Sequence, residues 1–110
     1  MNNVDVAVFK ALSDPTRFKI AVLLHLKGER CVCELAEALK EPDFKISRHV
    51  GIMRSAGLVQ ARRKGTWIYY SASRPKTRLE KYLQGYFKGY RMEQKTIKEM
   101  LGRLRKDHCS

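Results

Sequence analysis

Apolar residues recur along this chain with a helical period, interrupted once where the period becomes two. Val4, Val8, Phe9 and Leu12 fall on one side of a first helix. Ser13-Asp14-Pro15 restarts the chain, with Asp14 suited to an N-cap and Pro15 to the first helical position. The second helix is expected to run to about His25 or Lys27 and to be central, since Phe18, Ile20, Ala21, Val22, Leu23 and Leu24 make it strongly apolar; Gly28 ends it. A third begins near Cys31 to Cys33, buries Val32, Leu35, Ala36 and Leu39, and breaks at Glu41-Pro42. In a fourth, capped by Asp43 and stopped by Gly57, Ile46, Val50 and Met53 face inward. Lys45, Arg48, Ile52 and Ser55 take its opposite side, with Ser47 and His49 on the flanks.

The period of two follows Gly57. Leu58 to Ala61 form one strand, Arg62-Arg63-Lys64-Gly65 a basic turn, and Thr66 to Ser71 a second strand rich in Trp, Ile and Tyr. A short helix with a cationic face, followed by a hairpin with a cationic tip, is a winged helix-turn-helix. The helix fits a major groove and the tip lies beside phosphate or minor groove. The fold class is therefore mainly α with a small β-hairpin, in one domain spanning residues 1–110.

From Pro75 to Lys106 the helical pattern returns, with Leu79, Leu83, Tyr86, Phe87, Tyr90, Ile97, Met100, Leu101 and Leu104 as its stripe. One helix over 75–106 would reach roughly 45 Å at ~1.5 Å per residue, more than the domain needs as cover. The surplus stripe is expected to pack on a second copy, the first helix joining the contact, as a homodimer. Gly85 and Gly89 permit close approach or mark a weak point.

Charge narrows the partner. A net charge of +12 and a pI near 10.0 call for a polyanion. No apolar run has membrane-spanning length and the N-terminus lacks the order of a signal peptide, so a cytoplasmic protein without membrane attachment is expected. Arg48 suits bidentate pairing with guanine, and Ser47 and His49 suit bases or phosphates, with a local hydrogen bond the alternative for His49. Lys45, Arg62, Arg63 and Lys64 suit phosphates, which give affinity and salt dependence rather than sequence choice. A merely solvated basic face is the plainer alternative. Eleven Lys/Arg against four Asp/Glu between Arg74 and Asp107 place much of the charge away from the reader. No Gly-rich phosphate loop, carboxylate pair or C-x-x-C within a βαβ pattern supports an enzyme.

The segments LSDPTRFKIAVLL, CVCELAEAL, KISRHVGIMRSAGLV and KGTWIYY, in this order over residues 6–73, resemble the ArsR/SmtB family of bacterial metalloregulatory repressors. The resemblance implies a homodimer that binds double-stranded operator DNA and releases it when a metal or metalloid binds. Cysteines in the CVC element point to the branch sensing As(III) or Sb(III). That branch often carries a third cysteine at the position of Ala36, a departure here. Cadmium and lead sensors add cysteines near the N-terminus, and none precedes Cys31. Zinc, cobalt and nickel sensors use carboxylate and histidine pairs on the last helix, which here has no histidine before His108.

Cys31 and Cys33 are thus the expected metalloid ligands, with Cys109 the candidate third, from either protomer; a small-molecule thiol or water is the alternative. Soft trivalent arsenic favours thiolates. On a regular helix the two cysteines stand about 200° apart, so shared binding would need an unwound first turn. Arg30 and the helix N-terminus are expected to favour the thiolate. The competing readings are oxidant sensing, another soft metal such as cadmium or lead, or cysteines that merely pack.

Overall fold

The structure is a computed structural model that describes residues 3–90 together with 99, 102 and 103. Its elements follow in the order α1 (Asn3–Leu12), α2 (Pro15–Lys27), β1 (Arg30–Cys31), α3 (Val32–Leu39), α4 (Asp43–Ser55), β2 (Val59–Lys64), β3 (Trp67–Ala72) and α5 (Arg78–Lys88).

Local chemistry sets most boundaries. The Asp14 carboxylate accepts from the Arg17 backbone N–H and Pro15 takes the first position of α2. Gly28 closes that helix at φ 80°, a conformation an L side chain resists. Pro42, with its extended backbone, is the residue preceding α4, so Asp43 opens the helix rather than capping it. Between α3 and α4 the turn rests on Lys40 in the left-handed region (φ 56°), its N–H directed at the Ala36 and Glu37 carbonyls.

Ile20, Val22 and Leu23 of α2, Leu35 of α3, and Ile46, Val50 and Met53 of α4 make a core from which solvent is excluded. Each such side chain contributes about 2 kcal/mol by leaving water. α2 sits at the centre, with α1, α4, α5 and β3 packed on it.

The sheet has the order β1-β3-β2, antiparallel throughout. β1 is two residues long and pairs Cys31 with Tyr69 and Arg30 with Tyr70. The hairpin differs from expectation: Arg62, Arg63 and Lys64 belong to β2, opposite Tyr69, Ile68 and Trp67, and the turn is Gly65-Thr66. A two-residue loop needs positive φ, which Gly65 supplies at 64°.

The expected helix over 75–106 starts at Arg78, where Thr77 accepts from the Glu80 N–H, and closes at Gly89. Gly89 therefore ends a helix. The remainder of that range lies outside the described residues except Glu99, Gly102 and Arg103, all helical. Arg103 Nε donates to the Ala38 carbonyl of α3 at 3.0 Å. Phe18 of α2 meets Phe87 and Tyr90 edge-on at 5.3 and 5.8 Å, fixing α5 against α2.

Candidate nucleic-acid interface and thiol site

The interface begins with the orientation of α4. Its inner stripe leaves Phe44, Ser47, Arg48, Gly51, Ile52, Arg54 and Ser55 exposed. Ser47 and Arg48 are exposed on the outward side near the helix start, where the reader helix of such folds meets base edges. Lys45 is half-buried and pairs at 3.3 Å with Glu41, four residues earlier and just outside α4.

His49 does not share that face. It is 7% exposed, and its Nδ1 lies 3.0 Å from the Arg17 guanidinium and 3.9 Å from Asp14. Arg17 Nε also donates to the Ala11 carbonyl at 2.6 Å. Of the two roles expected for His49, this arrangement shows the local hydrogen bond. α2 approaches that flank of α4 and encloses the ring. Asp14 is held below the ordinary carboxylate range. Burial is the largest single influence and opposes this, but the Arg17 N–H, the adjacent His49 ring, the Arg17 guanidinium and the Thr16 N–H together outweigh it.

The wing residues differ among themselves. Arg62 is bidentate to Glu29, at 2.7 and 3.0 Å, and its guanidinium stands 5.6 Å from the Tyr69 ring centroid. Each partner stabilises the charge of the other, so the Glu29 carboxyl is lowered and the Arg62 guanidinium raised. Arg62 is thereby committed within the protein. Arg63 and Lys64 lie exposed beside the turn.

Between α4 and the wing runs a groove of about 370 Å³, lined in part by Cys31, Phe44, Ser47, Trp67 and Tyr70. The thiol site and the reader share this wall. Cys31 caps α3 from an extended conformation (φ −89°, ψ 167°), outside the helix. Its Sγ lies 3.3 Å from Cys33 Sγ, so the expected 200° separation is corrected: the pair converges without unwinding α3.

For Cys31 the expected thiolate character is corrected too. Burial pushes the Cys31 thiol up to about 12; the Glu34 N–H offsets part of this, while the Cys33 thiol and Glu34 carboxylate add to it. Arg30 directs its guanidinium to the Glu29 carbonyl at 2.7 Å instead. Glu34, 5% exposed, accepts from the Cys31 backbone N–H at 3.0 Å and lies 3.3 Å from its sulfur. Among the described residues no group of three or more His, Cys, Asp or Glu side chains could hold a metal ion. Cys109 lies outside them.

Sequence reasoning missed four contributors: Arg17, Glu34, Phe44 and Trp67. Only Phe44 left a signal, three residues before Ser47 on the same face of the helix.

A recognition helix joined to α3 by a short turn, followed by a two-stranded wing, defines a winged helix-turn-helix transcriptional regulator and not an enzyme. The profile of bacterial regulatory proteins of the arsR family matches residues 14–61. The arsenical resistance operon repressor of Escherichia coli is 34% identical, over 96% of this chain and 88% of its own length. The chain belongs to the ArsR family. The arsenic resistance transcriptional regulator ArsR1 of Pseudomonas putida is 51% identical over 57% of this chain and 49% of its own length, so the chain matches about half of that relative. A cadmium resistance regulatory protein, a CadC homolog of Staphylococcus aureus, is 45% identical over 64% and 59%. Among solved structures, the homodimeric winged helix-turn-helix domain of Mb0332 from Mycobacterium bovis superposes with TM-score 0.66 at 32% identity, covering 77% and 72% of the two chains. No helix among the described residues is long and apolar enough to cross a membrane.

Proposed function

We propose that the protein is a homodimeric repressor that holds operator DNA through α4 and the wing, and releases it when As(III) or Sb(III) bridges Cys31 and Cys33. The observation that carries this reading is the 3.3 Å separation of the two sulfurs at the start of α3. One soft trivalent atom spans that distance, and its third position goes to Cys109, a small thiol or water. Val4, Val6 and Phe9 of α1, with Tyr82 and Tyr86 of α5, are exposed apolar side chains suited to a second copy.

Release follows from what the bridge displaces. A bound Cys31 sulfur no longer directs a proton at Glu34, leaving a buried carboxylate with one donor fewer. Glu34 forms the capping box of α3, which packs on α4, while Cys31 itself is paired with wing strand β3. The effector-bound and DNA-competent arrangements thus differ in free energy, as ligand-driven release requires.

The test is fluorescence anisotropy of the reduced protein on the DNA upstream of its own gene, with arsenite, cadmium or zinc added. Tight binding lost with micromolar arsenite and not with zinc supports the reading. Replacing Cys31 or Cys33 by Ser should keep DNA binding and abolish the response. Binding indifferent to arsenite but lost with cadmium, lead or peroxide would transfer the site to that effector.

A further inference from the structure

The outward ridge of α4 carries two residues that the packing of the protein does not explain. Phe44, in the first turn, is 74% exposed, more than any other large apolar side chain among the described residues. Gly51 lies in the middle of the helix, where glycine costs about 1 kcal/mol relative to alanine. Its backbone is ordinary helix, and a Cβ built on it meets nothing within 4 Å. Among the described residues neither a turn nor a neighbouring element requires a glycine there.

The two positions belong together. With ~3.6 residues per turn, Phe44, Gly51 and Ser55 fall within about 40° of one another around the axis, opposite the Ile46-Val50-Met53 stripe. Ser47 and Arg48 flank this line. The ridge thus has an apolar ring at its leading end, two polar side chains beside it, and a low centre. An aromatic ring beside hydrogen-bonding groups fits the major groove, where the 5-methyl of thymine is the apolar feature among polar base edges. Strong positive charge and a cationic wing select duplex DNA as the occupant.

We propose that α4 is a thymine reader: Phe44 lays its ring on a thymine 5-methyl, and Gly51 lets the groove close on the centre of the helix. This deepens the DNA-binding reading and rests on it. Ser47 and Arg48 supply the polar part of the same readout, and Gly51 sets how near they come to the bases.

The experiment uses the full chain and a duplex from its own upstream DNA, narrowed by footprinting, with anisotropy as the readout. Thymines in the footprint are replaced one at a time by deoxyuridine, which removes only the methyl group. For the unaltered protein at least one replacement per half-site should weaken binding about fourfold, the worth of one buried methyl. The same replacement should cost Phe44→Ala nothing. Gly51→Ala should melt no lower than the parent, yet bind the operator about tenfold more weakly. Absence of any thymine coupled to Phe44, or parental affinity in Gly51→Ala, would overturn the proposal. Failure of the unaltered protein to prefer its upstream DNA over random DNA would remove the DNA-binding reading itself, a separate and recognisable result.

Discussion

The sulfurs of Cys31 and Cys33 lie 3.3 Å apart because Cys31 stands one residue outside α3, in extended backbone, while Cys33 is in its first turn. The Cys31 thiol holds its proton firmly, at about 12, for reasons of burial first. Under the proposed function, effector choice is therefore tied to what becomes of that proton.

Arsenous acid is uncharged at neutral pH, and its reaction with two thiols releases two waters: As(OH)3 + 2 RSH gives (RS)2AsOH + 2 H2O. Both thiol protons leave on the departing oxygens, so arsenite affinity should be flat between pH 6 and 8. Cadmium has no such oxygens, and two thiols must discharge two protons to solvent, so its affinity should rise steeply with pH. Calorimetry in buffers of different ionisation enthalpy measures the difference directly. Uptake of about two protons with arsenite would instead show that the sulfurs are thiolates before it binds.

The contact between Arg17 and His49 makes a stability prediction. Arg17→Ala removes donors to the Ala11 carbonyl and to His49 Nδ1 and leaves a buried ring nitrogen unsatisfied. It should cost about 2 kcal/mol in denaturant unfolding. The double variant with His49→Ala should fall clearly short of additivity, since both remove the same contact. Strict additivity would mean that the two side chains act separately.

The parts of this fold that were legible in the sequence are those fixed by neighbours along the chain. Asp14, Pro15 and Gly28 bound α2 by capping chemistry alone, and Ile46, Val50 and Met53 give α4 its inner face by spacing. β1 was not legible, because two residues carry no period and Arg30-Cys31 is a strand only through pairing with Tyr69 and Tyr70. The same pairing holds Cys31 outside the helix, so the cysteine geometry was misjudged for the same reason. Arg62 to Lys64 look like a turn by composition, whereas their ladder with Trp67 to Tyr69 makes them strand. Burial of His49 depends on Arg17, 32 residues earlier. Candidate ligands and reader residues could thus be named, while their protonation and exposure depended on tertiary packing.

Asp14 predicts an acid limb. Its folded carboxyl lies below the ordinary value of 3.8, so the stability it contributes is complete above that value and is lost as pH falls through the folded one. Asp14→Asn keeps a capping side chain but removes the charge at the start of α2, and should cost about 0.5 kcal/mol at neutral pH. That difference should shrink below pH 4. A constant difference down to pH 2 would assign the contribution to the cap hydrogen bond alone.

The wing predicts unequal salt dependence among three adjacent cations. Each phosphate neutralised by a protein cation contributes roughly 0.9 to the slope of log affinity against log salt. Arg63 and Lys64 lie exposed beside the Gly65-Thr66 turn, so replacing either by Ala should lower the slope by about 1 without changing the preferred sequence. Arg62 is held by Glu29 through two hydrogen bonds and meets the Tyr69 ring, so Arg62→Ala should leave the slope nearly unchanged. Glu29→Gln then becomes the informative variant. It weakens the hold on Arg62 and removes a negative charge beside the DNA path, so affinity should rise at low salt, with a steeper slope. If Arg62→Ala instead lowers the slope as much as Arg63→Ala, Arg62 exchanges Glu29 for a phosphate when DNA arrives, and Glu29 holds that arginine in place only until then.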